Sequence, residues 1–105
     1  MATIPYDPAR YLESEKTRLA YLNEALVQRD MDVLLSALDA IARSRGMTAL
    51  SRTSGISREG LYQALAPGND IRHSTLLKIM AGLGYKLVAM PVDSQEPAQD
   101  IPARG

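Results

Sequence analysis

The sequence predicts an all-α protein: a bundle of about five to six helices, followed by one short C-terminal strand. Apolar residues recur at spacings of three and four through most of the chain, and Ser, Asp and Gly stand where helices would begin and end. Only YKLVAM, residues 85–90, is rich in side chains that favour strands. The 105 residues suit one domain, and the absence of Phe and Trp predicts an aliphatic core.

The first helices are predicted within residues 8–45. Asp7 and Pro8 favour a short helical turn at the start of this range, because proline fits the first helical position. Ser14 is placed to cap the next helix, which should run to about Arg29.

Asp30 is placed to cap a third helix, and Gly46 to end it. The apolar residues between them follow helical spacing and predict one buried face. These are Met31, Leu34, Leu35, Leu38, Ile41 and Ala42.

Residues 47–65 predict two short helices that meet at a sharp turn. Gly55 can adopt a left-handed conformation, Ile56 can pack beneath the turn, and Ser57 can cap the second helix. This order of residues is typical of a helix-turn-helix, although a plain helical hairpin with a solvated polar face could show it too. The two helices are expected at about 48–54 and 58–65.

A last helix is predicted at 75–83, capped by Ser74, and a strand at 85–90. A lone strand leaves its edges unpaired, so we expect it to pair with its copy across a two-fold axis in a homodimer. An extended loop lying on the monomer, or an interface on the last helix, is the alternative. The predicted dimerisation residues are Tyr85, Leu87, Val88 and Met90. The folded domain should end at 91, with a mobile polar tail over 92–105.

Charge is unevenly distributed along a chain whose net charge is zero. Residues 1–42 carry four basic and seven acidic side chains, and residues 87–105 carry one basic and three acidic. Residues 43–86 carry seven basic and two acidic, a balance of +5. A basic centre between acidic ends indicates a surface that could bind phosphate groups.

The second helix of the turn unit should present its polar side chains to solvent. Arg, Glu and Gln are the side chains that read guanine, cytosine and adenine edges in the major groove. Residues at the start of the first helix and just before it could contact phosphates. The predicted DNA-binding residues are Ser57, Arg58, Glu59, Tyr62, Gln63, Thr48, Arg52, Arg43 and Arg45.

Several segments together resemble a known family. They are YDPARYL, AYLNEAL, ALDAIARSRGMTALSRTSGISREGLYQALAPGND and TLLKIMAGLGYKL, in this order over about residues 4–91. They are similar to the addiction-module antidote proteins, which are lambda-repressor-like helix-turn-helix antitoxins akin to the HigA group.

The resemblance implies an antitoxin that neutralises an mRNA-cleaving toxin of the RelE/HigB type. It also implies a homodimer that represses its own operon by binding double-stranded operator DNA through Ser57–Leu65. The segment NDIRHS departs from the pattern that the resemblance leads us to expect before the last helix. A stand-alone transcriptional regulator, or an antitoxin that binds protein alone, stays open as an alternative.

Other classes of function find little support in the sequence. There is no cysteine and a single histidine, His73, so we expect no metal, no cofactor and no catalytic residues. The glycines of AGLGYK follow a helix, whereas a phosphate-binding loop would open one. We found no secretory signal and no apolar run near the roughly 20 residues that cross a bilayer, so a cytoplasmic protein is expected.

Overall fold

The computed structural model describes residues 14–92, and this part of the chain forms five α-helices. They are α1 (Glu15–Val27), α2 (Met31–Arg45), α3 (Met47–Ser54), α4 (Arg58–Ala64) and α5 (His73–Gly82). Helix α1 packs along α2, and α3 contacts α2, α4 and α5. The all-α class is therefore confirmed, while the predicted turn at Asp7 and Pro8 and nearly all of the predicted tail lie outside the described residues. None of the described helices is long and apolar enough to cross a membrane.

The N-terminal caps of α1 and α2 lie where the sequence predicts them. The Ser14 side chain accepts a hydrogen bond from the Thr17 backbone N–H at 3.1 Å. The Asp30 carboxylate accepts from the backbone N–H of Asp32 at 2.9 Å and of Val33 at 3.5 Å. Each cap satisfies donors that would otherwise have no partner in the first turn.

Helix α1 ends at Val27, two residues before the predicted end. Arg29 adopts a φ of 58°, which lies in the left-handed region and cannot continue an α-helix. The chain therefore turns there and enters α2 at its cap.

The core is aliphatic, as predicted, and α2 contributes the largest share of it. Side chains from all five helices join one buried cluster, and each large one contributes about 1.5–3 kcal/mol by leaving water. The largest fully buried side chains are Leu22, Leu35, Leu38, Ile41, Leu50, Leu61, Ile79 and Met80.

Helices α3 and α5 approach each other closely at Gly82. A Cβ added there would lie 3.0 Å from both Leu50 Cδ1 and Ser54 Cβ. The Thr53 hydroxyl donates to the Gly82 carbonyl at 2.9 Å across the same contact. This packing fixes α5 against the first helix of the turn unit.

The predicted start of the last helix is wrong. Helix α5 begins at His73, and Ser74 lies inside its first turn instead of capping it. The Leu76 N–H already bonds the carbonyl of Arg72, at 2.9 Å, so the first turn closes around Arg72. Arg72 occupies the cap position without a side-chain hydrogen bond.

The predicted strand at 85–90 is wrong for a single chain. A strand needs a neighbouring extended segment to receive its ladder hydrogen bonds, and residues 14–92 contain no strand. The chain instead reverses at Gly84, which has a φ of 91°, and the Tyr85 N–H bonds the Met80 carbonyl at 2.8 Å. Tyr85 and Leu87 then pack against the core of their own chain.

A polar cluster of Glu15, Arg18, Arg45 and Tyr85 connects the two ends of the described fold. The Glu15 carboxylate lies 3.2 Å from the Arg18 guanidinium and 3.7 Å from that of Arg45. Arg45 also donates to the Leu83 carbonyl at 3.1 Å. The buried Tyr85 hydroxyl lies beside Glu15 and lowers the pKa of the Glu15 carboxyl. The two groups do not meet the geometry of a full hydrogen bond.

Candidate nucleic-acid interface

The turn between α3 and α4 is built by three residues with separate tasks. Gly55 has a φ of 79°, in the left-handed region that the sequence predicts for it, and its N–H donates to the Ser51 carbonyl at 3.0 Å. Ile56 packs partly against the core beneath the turn. The Ser57 hydroxyl accepts from the Gly60 N–H at 3.0 Å and so starts α4.

The Ser51 side chain strengthens this turn through a hydrogen bond. Its hydroxyl donates to the Ile56 carbonyl at 2.6 Å, so it bridges the last turn of α3 and the connection to α4. The Ile56 N–H in turn bonds the Ser54 hydroxyl at 3.2 Å. Both backbone polar groups of Ile56 are therefore paired within the turn, which helps to fix the direction in which α4 leaves α3.

Helix α4 has one buried side and one exposed side. Leu61 is fully buried, and Leu65, just after the helix, is nearly so. The side chains that the sequence predicts to face outward are all exposed, which leaves them open to a binding partner. They are Ser57, Arg58, Glu59, Tyr62 and Gln63.

Arg58 and Tyr62 contact each other across one turn of α4. The Arg58 guanidinium donates to the Tyr62 hydroxyl at 3.3 Å and lies 5.9 Å from the centre of the ring. Such a cation–π contact is worth about 0.5–1 kcal/mol at an exposed site. The ring thus restricts the guanidinium on the surface of α4 before any partner binds.

A depression of 460 Å³ lies between α4 and the start of α5, next to Gln63. Arg72 and Lys78 are exposed and line it, and Thr75 contributes a hydroxyl. Neither cation is among the site residues predicted from sequence, although both belong to the basic segment 43–86. The coil before α5 and the first turns of that helix bring them to the edge of the α4 surface.

The remaining predicted phosphate contacts fall into two groups. Thr48 and Arg52 are exposed on α3. The Arg43 Nε lies 3.1 Å from the Asp39 carboxylate, and Arg45 belongs to the polar cluster with Glu15. The last two side chains therefore have partners within their own chain.

The four predicted dimerisation residues also divide into two pairs. Tyr85 and Leu87 are half-buried against their own chain. Val88 and Met90 are 70% and 79% exposed, which is unusual for large apolar side chains. The structure contains one chain, so pairing across a dimer stays a prediction.

The described residues offer no arrangement typical of a metal site. Among residues 14–92, no three His, Asp or Glu side chains come together in a way that could hold a metal ion. His73 is exposed at the start of α5. The arrangement of the site is that of a binding surface made of side-chain donors, acceptors and cations.

The described part of the chain is thus helical, and the turn at Gly55 directs an exposed polar helix, α4, away from α3. A family model described as "Probable addiction module antidote protein" matches residues 2–91, and the chain belongs to that family. An uncharacterized protein of Haemophilus influenzae (strain ATCC 51907 / DSM 11121 / KW20 / Rd) is 44% identical over 81 residues, which are 77% of this chain and 84% of that protein. No solved structure matches the chain significantly. Membership of an antidote family gives the chain an antitoxin role and implies a toxin as its partner.

Proposed function

We propose that this protein is a DNA-binding antitoxin that acts in the cytoplasm as a homodimer. It neutralises an mRNA-cleaving toxin of the RelE/HigB type and represses its own operon through a helix-turn-helix of the lambda-repressor kind. It is a binding protein and catalyses no reaction. The exposed polar side of α4, fixed by the turn at Gly55, is the observation that carries the DNA-binding part of the proposal.

The chemistry of α4 supports insertion into a major groove. Arg58 can form two hydrogen bonds with guanine, Gln63 can do so with adenine, and Glu59 can accept from cytosine. Arg52 on α3, and Arg72 and Lys78 beside α4, are exposed and can neutralise backbone phosphates next to that groove. Base reading by α4 would thus be combined with phosphate contacts from neighbouring elements, which is how a recognition helix is typically positioned.

A homodimer agrees with the apolar segment that follows α5. Val88 and Met90 are exposed, whereas Tyr85 and Leu87, three positions before them, pack inward. Alternation of this kind is typical of a strand with one covered face, and pairing of two copies would satisfy the edges that one chain leaves open. Two joined recognition helices would then span two half-sites on one duplex.

The toxin half of the proposal rests on the family and on the resemblance. Family membership implies a toxin, and the similarity to HigA-like antitoxins suggests that it is an mRNA-cleaving enzyme of the RelE/HigB type. A gene for a toxin of this type, found beside this one, would support the pairing, and its absence would favour a stand-alone regulator.

The DNA-binding part is tested with duplex DNA from upstream of this gene and a scrambled duplex of equal composition. Wild-type protein should prefer the upstream duplex, and its affinity should fall steeply as salt rises because phosphate contacts release counterions. Arg58→Ala should lose about 1–3 kcal/mol of discrimination between the two duplexes.

Arg52→Ala is the matched control for Arg58→Ala, because it removes an exposed arginine from the neighbouring helix. A phosphate contact carries no sequence information, so this variant should weaken binding to both duplexes alike. An Arg58→Ala protein with unchanged discrimination would contradict the assignment of α4. Toxin binding without DNA binding would identify a purely protein-binding antitoxin, and DNA binding without toxin binding a stand-alone regulator.

A further inference from the structure

A second surface lies between α1 and α2 and shares no residue with α4 or with the depression beside it. It is a groove of 290 Å³ that runs between the second half of α1 and the first half of α2. Its position leaves the candidate DNA-binding side chains untouched. Two partners could therefore bind this chain at the same time.

The floor of this groove is apolar. Tyr21 and Ala25 contribute to it from α1, and Val33 and Ala37 from α2. Ala25 and Ala37 are buried, and their small side chains leave the space between the two helices unfilled. An apolar cleft between two helices is a common site for the apolar face of a partner helix.

The rim of the groove is acidic. Glu24 and Asp32 stand on opposite helices and are exposed, and the lining includes neither Lys nor Arg. The depression beside α4, by contrast, is lined by two cations, Arg72 and Lys78, and one carboxylate, Asp70. The charged side chains that line the groove are thus all acidic, whereas those that line the depression are mainly basic.

We propose that the α1–α2 groove binds the toxin through a basic amphipathic segment, whose apolar side chains enter the groove while its Lys or Arg residues meet Glu24 and Asp32. The inference rests on the proposed function, since it takes the occupant to be the toxin of an antidote protein. An acidic groove repels the phosphates that the α4 surface attracts, so DNA and toxin do not compete for one site. The antitoxin can then carry the toxin while bound to DNA.

The test uses the purified product of the open reading frame next to this gene, as the candidate toxin, and measures its affinity for the full-length antitoxin. Glu24→Lys should weaken toxin binding about tenfold or more, because it places a cation opposite the cations of the toxin. Ser36→Trp, at an exposed position of the groove, should weaken binding by occupying the cleft. Both variants should bind the upstream DNA as tightly as wild type.

Two controls carry the same changes outside the groove. Glu59→Lys alters net charge identically but lies on α4, so it should change DNA binding and leave toxin binding intact. Asn23→Trp places an equal bulk on an exposed position of α1 that does not line the groove.

Glu24→Gln removes the charge of the groove residue and keeps its size. It should give a smaller loss of toxin affinity than Glu24→Lys, and it replaces that variant if Glu24→Lys fails to fold.

The possible results distinguish failure of the groove assignment from failure of the proposed function. If the wild-type protein binds the toxin, and Glu24→Lys and Ser36→Trp bind it within twofold of wild type, the groove assignment is overturned while the proposed function stands. If the groove variants lose self-association and keep toxin affinity, the occupant is a second copy, and the assignment is again overturned. If wild type binds no toxin, the proposed function fails and the groove assignment with it.

Discussion

Gly55 determines the direction of the candidate recognition helix through a single backbone conformation. Its φ of 79° lies where residues other than glycine are strained, and nothing lies within 4 Å of a Cβ added at this position. The cost of a substitution there is therefore backbone strain without a steric clash.

Replacing Gly55 with valine should lower the free energy of unfolding by about 1–2 kcal/mol or more, because a β-branched residue strongly disfavours the left-handed region. Thermal melting of the two proteins measures the loss. Gly55→Asn is the matched control, and it should lose less because asparagine tolerates this conformation. A valine variant that melts with or above the parent would show that the turn does not depend on this conformation.

Helix α1 is joined to the end of the fold by the polar cluster of Glu15, Arg18, Arg45 and Tyr85. The nearby Tyr85 hydroxyl, with help from the two arginines, lowers the pKa of Glu15 below its ordinary value of 4.5, although partial desolvation opposes the shift. Burial raises the pKa of Tyr85 above 10.0, and the carboxylate beside it adds to that rise. The cluster is therefore most favourable with Glu15 ionised and Tyr85 neutral.

The lowered pKa of Glu15 makes its contribution to stability depend on pH. The contribution is present above the ordinary pKa of 4.5 and is lost as pH falls through the lower folded value. Glu15→Gln should thus melt slightly below wild type at neutral pH, and the difference should shrink in acid. The effect is small because the side chain is 56% exposed.

Tyr85→Phe checks the cause of this pH dependence. It removes the hydroxyl that most strongly lowers the pKa of Glu15, so it should weaken the acid dependence that Glu15 contributes. A melting difference between wild type and Glu15→Gln that stays constant from neutral to acid pH would contradict this account of the cluster.

At the scale of the whole molecule, the described fold presents three surfaces of different chemistry. The α4 side carries exposed polar side chains and cations, the α1–α2 groove is apolar with an acidic rim, and the segment after α5 exposes large apolar side chains. A net charge of zero conceals this division. The proposed function and the inference about the groove together assign one kind of partner to each surface.

Changing Val88 and Met90 together to serine should convert the proposed dimer to a monomer, as measured by sedimentation. DNA affinity should fall as well, because two half-sites would no longer be bound by one linked unit. Both side chains are exposed in the single chain, so the fold should survive.

Leu77→Ser is the control for this double variant, since Leu77 is an apolar residue of α5 that is 41% exposed. It should remain dimeric. A dimer that persists in the Val88 and Met90 variant and is lost in Leu77→Ser would move the interface to α5.

The sequence predicts local features of this fold well and long-range ones poorly. Ser14, Asp30, Gly55 and Ser57 each act within a few residues, so their roles follow from neighbours in the chain. The sequence predicts the wrong start for α5 because serine is a preferred N-cap residue and Ser74 lies close to the true start. Arg72 occupies the cap position through its backbone conformation alone, and that conformation has no signal in the sequence. The strand prediction depended on a partner that the sequence of one chain does not supply.

The candidate site shows the same division between local and distant information. The outward side of α4 follows from its helical period, whereas the positions of Arg72 and Lys78 depend on how the chain returns to α5. The α1–α2 groove was missed because its width depends on how two helices pack at alanines. The spacing of apolar residues along one helix does not show how far that helix lies from its neighbour.

The chain has no tryptophan, and its three described tyrosines lie on three different parts of the molecule. Tyr62 is on α4, Tyr21 lines the α1–α2 groove, and Tyr85 belongs to the Glu15 cluster. Fluorinated tyrosine incorporated during expression would therefore place a separate NMR reporter in each region. Titration with DNA, with toxin or with acid could then be followed at the region concerned, without any mutation.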